Sequence, residues 1–164
     1  MNNGEMQRLW QEMQHAHRTF MDALRQFLSG DKSMRLKLIE EGYKTDRYLT
    51  TTVLEYVPIE ELKELLPLLL SHACSVHAYL DRVRQIILRL PKDWLVEHIE
   101  AASESFLESG TDEEYRRFLE LYFMLDPILT ARLAHRAAAA SDPDIREAGQ
   151  DFLEKLKVSS TKHT

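Results

Sequence analysis

From Glu5 to Leu28 the large apolar side chains Met6, Trp10, Met13, Phe20, Leu24 and Phe27, with His17 among them, recur at alternating steps of four and three. That spacing draws one stripe along a helix and predicts an element of about 25 residues. Gly30 suits its C-terminal stop, and Asp31 or Ser33 can cap a short helix carrying Met34, Leu36, Leu38 and Ile39. Gly42 is expected to end that helix. Thr45 is expected to cap the next, which runs to Val57 with Leu49, Val53, Leu54 and Val57 inward.

Beyond this point the punctuation becomes periodic. Pro58, Pro91 and Pro127 each follow an apolar helical ending, at separations of 33 and 36 residues. Proline in the first turn of a helix gives up no hydrogen bond, so these positions read as starts of helices. Each interval also holds an internal break. In Ser109-Gly110-Thr111, Gly110 can close one helix while Thr111 and Glu114 form a capping box for the next. In Ser141-Asp142-Pro143-Asp144, Asp142 is the cap, Pro143 the first helical residue, and Asp144 sits at the positive end of the dipole. Between Pro58 and Pro91 the break is expected near His72 to Ser75.

The pattern predicts an all-α chain: a single domain over residues 1–158, with a long N-terminal helix at 5–29 and helical hairpins at about 31–57, 58–90, 91–126 and 127–157. Residues 159–164 are expected to be a disordered tail. A hairpin repeated with a period in the thirties is the sequence sign of an α-solenoid.

Two stretches resemble HEAT repeats. Leu65-Leu66-Pro67-Leu68-Leu69-Leu70-Ser71 is similar to the first helix of that motif, which tolerates a bend at proline, and Val83-Arg84 with Ile86-Ile87-Leu88 is similar to its second. Ser141 to Ala148, continuing through Phe152-Leu153-Glu154-Lys155-Leu156, resembles the family's inter-helix turn and second helix. The resemblance covers about half the chain; the hairpins at 31–57 and 91–126 match in length but lack the Asp-Pro turn. It implies a curved stack used for protein contacts, with second helices on the concave side and no catalytic residue. It also implies that Asp142, Arg146 and Arg84 bond to backbone and to the adjacent repeat.

Composition narrows the function. With 44% hydrophobic and 29% charged residues, 5 Gly and 5 Pro, a chain of 164 residues is expected to be globular and helical. The lone Cys74 and the absence of a basic-then-apolar N-terminus point to the cytosol. The longest apolar run, Leu65 to Leu70, is far short of a membrane span. The net charge of −6 works against nucleic-acid binding. By count, residues 1–90 hold 12 basic and 12 acidic side chains and residues 91–164 hold 9 and 15, so the acidic excess lies wholly in the second part.

The candidate binding residues follow from that excess. Glu97, Glu100, Glu104 and Glu108 recur along one helix face, continued by Asp112, Glu113 and Glu114, as a docking ridge for a partner with a basic surface or simply as a solvated face. Arg84, Arg117 and Arg146 are the second choice, among the basic residues Arg82, Arg116, Arg132 and Arg136. Glu12 and His15 have di-iron ligand spacing without a second copy, and read as a solvated face. His72, Cys74 and His77 are metal-ligand types whose spacing matches no closed site, and Cys74 reads as a small buried residue. His17 reads as a hydrogen-bonded core histidine. No catalytic group, metal or cofactor is expected.

The leading function is therefore a non-catalytic protein-binding or scaffold module. The alternatives are a helical-repeat enzyme or small-ligand carrier with a pocket between hairpins, and a bundle that dimerises through residues 6–27. The N-terminal stripe can pack on the first hairpin or zip to a second copy.

Overall fold

The computed structural model describes residues 2–74 and 78–161. All regular structure among them is α-helical. The fold divides into two compact units, Met1–Val57 and Pro58–Thr164, at the first of the recurrent prolines.

The first unit contains α1 (Asn3–Ser29), α2 (Lys32–Thr45) and α3 (Arg47–Leu54). Asn2 caps α1 by accepting from the Glu5 amide, and Gly30 ends it in extended backbone. Asp31 caps α2, its carboxylate accepting from the Met34 amide at 2.8 Å. Two expectations fail at the next turn. Gly42 does not stop α2, which continues to Thr45; a Cβ on Gly42 would lie 2.5 Å from Thr50 Oγ1, so glycine here gives room for α3. The cap of α3 is Asp46, not Thr45, accepting from the Leu49 amide at 3.0 Å. The buried Arg35 donates to the Gly30 carbonyl at 2.9 Å and, at 3.3 Å, to the Phe27 carbonyl, which also accepts from the Gly30 amide, so it ties α2 to the end of α1.

The second unit runs α4 (Ile59–Glu64), α5 (Leu66–Ala73), α6 (Leu80–Ile87), α7 (Lys92–Glu108), α8 (Asp112–Leu125), α9 (Pro127–Ala138) and α10 (Pro143–Thr161). The segment after Pro58 is two helices where a bent one was expected, broken at Leu65. Pro67 has no amide for the carbonyl of Lys63, and its ring disfavours helical backbone at Leu66. The capping box at Thr111 is present, with the Thr111 amide donating to Glu114 at 2.8 Å. Asp142 accepts from the amides of Asp144 and Ile145 at 2.8 and 3.1 Å. Asp126 does the same for Ile128 and Leu129, at 2.8 and 3.1 Å, ahead of Pro127. The last helix reaches Thr161, so residues 159–161, expected in the tail, are helical.

Leu62, Leu69, Leu70, Val83, Ile87, Leu95, Ile99, Leu119 and Leu129 are fully buried, and Phe118 and Tyr122 nearly so. Five hydrogen bonds made by arginine side chains between these helices span 32 to 36 residues, whereas Ser103 and Tyr122, which join α7 to α8, lie 19 apart. Arg84 of α6 reaches α8, and Arg116 of α8 reaches Asp151 of α10 at 2.8 Å. Arg132 and Arg136 of α9 reach α7, and Lys63 of α4 lies 5.4 Å over the Trp94 ring of α7.

No described helix is long and apolar enough to cross a membrane.

Candidate functional site

Pro91 sets the start of α7, and Leu95, Ile99, Ser103 and Leu107 define its buried face. Glu100 and Glu104 flank that face one turn apart. Arg132 and Arg136 are likewise one turn apart on α9, and the two rows meet in register. Arg132 donates from Nε and Nη2 to the two oxygens of Glu100, at 2.9 and 2.8 Å. Arg136 donates from Nη1 and Nη2 to Glu104 at 2.7 and 2.8 Å. Two planar forks each grip a carboxylate, the geometry arginine has and lysine lacks. The bond from Arg136 holds the Glu104 carboxyl below its usual range, and its partner's guanidinium above its own.

Beneath the ladder is a hollow of about 190 Å³ lined by Glu100, Ser103, Glu104, Tyr122, Arg132 and Arg136 among others. At its floor Ser103 Oγ and Tyr122 Oη are 2.7 Å apart. Burial pushes the Tyr122 phenol up to about 12, partly offset by the Ser103 hydrogen bond, so it is neutral at physiological pH.

The acidic ridge is thus differentiated. Glu100 and Glu104 are engaged by arginine, whereas Glu97 and Glu108 are exposed and have no ion-pair partner among the described residues. Arg84 and Arg117, which nothing in the sequence links, converge on Glu120. Arg84 Nη2 donates to Glu120 and to the Arg117 carbonyl at 3.2 Å, and Arg117 Nη1 donates to Glu120 at 3.2 Å. The Nε atoms of Arg84 and Arg117 are buried with no acceptor among the described residues. Arg146 stands apart, donating to the Ala140 and Ser141 carbonyls of its own turn at 3.0 and 2.6 Å. Glu120, Arg132 and Arg136 are partners that the local pattern does not reveal; they lie 36, 32 and 32 residues from Arg84, Glu100 and Glu104.

Burial raises the Glu120 carboxyl, but the bonds and charges of Arg84 and Arg117 outweigh it and leave the group below the ordinary carboxylate range. A carboxylate depressed on folding contributes stability above its unfolded pKa of about 4.3, and that contribution disappears as pH falls through the lowered folded value. Urea unfolding measured from pH 6 down to pH 2 is expected to show a smaller acid-side loss of stability in Glu120→Gln than in the wild type. Equal slopes in the two proteins would mean that Glu120 titrates normally.

The remaining candidates are placed as follows. Glu12 pairs with Arg8 at 3.7 Å on an exposed face. His17 is exposed, which corrects its reading as a core histidine: the N-terminal half of the α1 stripe is uncovered. Cys74 is buried at the end of α5, donates to the Ser71 carbonyl at 3.3 Å, and has its thiol pushed up by burial and by the charge of Glu114. His77 lies outside the described residues. Among the described residues no three His, Cys, Asp or Glu side chains are grouped to hold a metal ion.

No protein-family model, curated protein or solved structure matches the chain.

Proposed function

We propose that residues 58–161 form a short HEAT-like stack of three helical hairpins that serves as a non-catalytic protein-binding module in the cytosol. One observation supports this above the others: the hydrogen bonds by which Arg84, Arg116, Arg132 and Arg136 join α6 to α8, α8 to α10 and α9 to α7 recur at separations of 32 to 36 residues. A compact bundle has no reason to repeat its cross-links at the spacing of its prolines. Stacked modules do, because each buries the same face against its neighbour.

The binding surface we assign is the outer face of α7. Glu97 and Glu108 stand exposed there on either side of the ladder, which holds Glu100 and Glu104 in fixed geometry. Such a strip suits a basic partner, drawn in by charge and oriented by the row of forks. The hollow under the ladder is smaller than the roughly 300 Å³ at which small-molecule sites begin, and its charged groups already satisfy one another. Those two facts favour protein binding over a small ligand at this hollow.

The test is a partner isolated by cross-linked capture on the wild-type chain, then titrated against Glu97→Lys/Glu108→Lys. Affinity is expected to fall at least tenfold at low salt, and the salt dependence to flatten. Because both side chains are exposed, thermal stability is expected to be unaltered. Equal affinity and equal salt dependence in the two proteins would remove α7 as the binding surface.

A further inference from the structure

We draw no further inference here: the strongest candidate, the apolar hollow of about 340 Å³ that Phe20, Leu24, Phe27, Leu38, Ile39 and Leu49 line between α1, α2 and α3, carries nothing because nothing in the structure shows what covers it.

Discussion

Replacing Gly149 by alanine is expected to lower the stability of the second unit by about 3 kcal/mol, and replacing it by valine by more. Gly149 lies in α10 where that helix packs on α9. A Cβ there would lie 2.4 Å from the Ala138 nitrogen, 2.6 Å from the Ala134 oxygen and 2.9 Å from the Ala137 carbonyl carbon. All three are backbone atoms of a helix, so no side chain can swing aside. The helices would have to separate, opening contacts among Ala134, Ala137 and Ala148, which are fully buried. Alanine would ordinarily gain about 1 kcal/mol over glycine inside a helix, so the expected loss is the strain less that gain. At 2–4 °C per kcal/mol for a chain of this size, the melting midpoint is expected to fall by roughly 6–12 °C. Gly4→Ala is the control: its Cβ would meet only the Asn2 side chain, at 3.5 Å, so no loss is expected. A Gly149→Ala protein within 0.5 kcal/mol of the wild type would show that α9 and α10 have slack.

The second large effect is expected at Arg84. Its side chain is only 8% exposed and joins α6 to α8 through Glu120 and the Arg117 carbonyl. Removing one partner of a fully buried ion pair costs about 3–5 kcal/mol because the other charge is left uncompensated. Glu120 is 37% exposed and keeps Arg117, so solvent and the second guanidinium soften the loss. Arg84→Met is therefore expected to cost about 2–3 kcal/mol by urea unfolding. Arg84→Lys should recover little of it, since one ammonium cannot reproduce a planar fork that reaches carboxylate and carbonyl together. In Arg84→Met/Glu120→Leu the carboxylate is gone as well, and the double variant should be less unstable than the sum of its parts by about 1–2 kcal/mol. Strict additivity would show that the two residues contribute separately.

Both effects depend on matters that the amino-acid order conveys unevenly. Helix starts were legible where a side chain bonds its own neighbours. Asp31, Thr111 with Glu114, and Asp142 before Pro143 act over three residues, so local sequence suffices to identify them. Asp126 before Pro127 carries the same signature and caps α9 in the same way, although it opens a first helix and not the inter-helix turn of the HEAT pattern. Where glycine or proline had two possible roles, the sequence could not decide. Gly42 has the sequence signature of a stop, whereas the approach of Thr50 is what requires it. Pro67 has the sequence signature of a bend, whereas the helix breaks at Leu65.

The acidic ridge shows the same division. Spacing alone placed Glu97, Glu100, Glu104 and Glu108 on one helix. It could not distinguish the two that Arg132 and Arg136 engage from the two left exposed, because those arginines come from another helix 32 residues away. By itself the sequence determined the helical class and the caps at Asp31, Thr111 and Asp142, all of which arise from interactions within one turn of chain. Only the tertiary structure decided which charges pair, which glycine admits a neighbouring backbone, and how much of the α1 stripe stays uncovered. Those outcomes depend on the distance between helices, which no local pattern encodes.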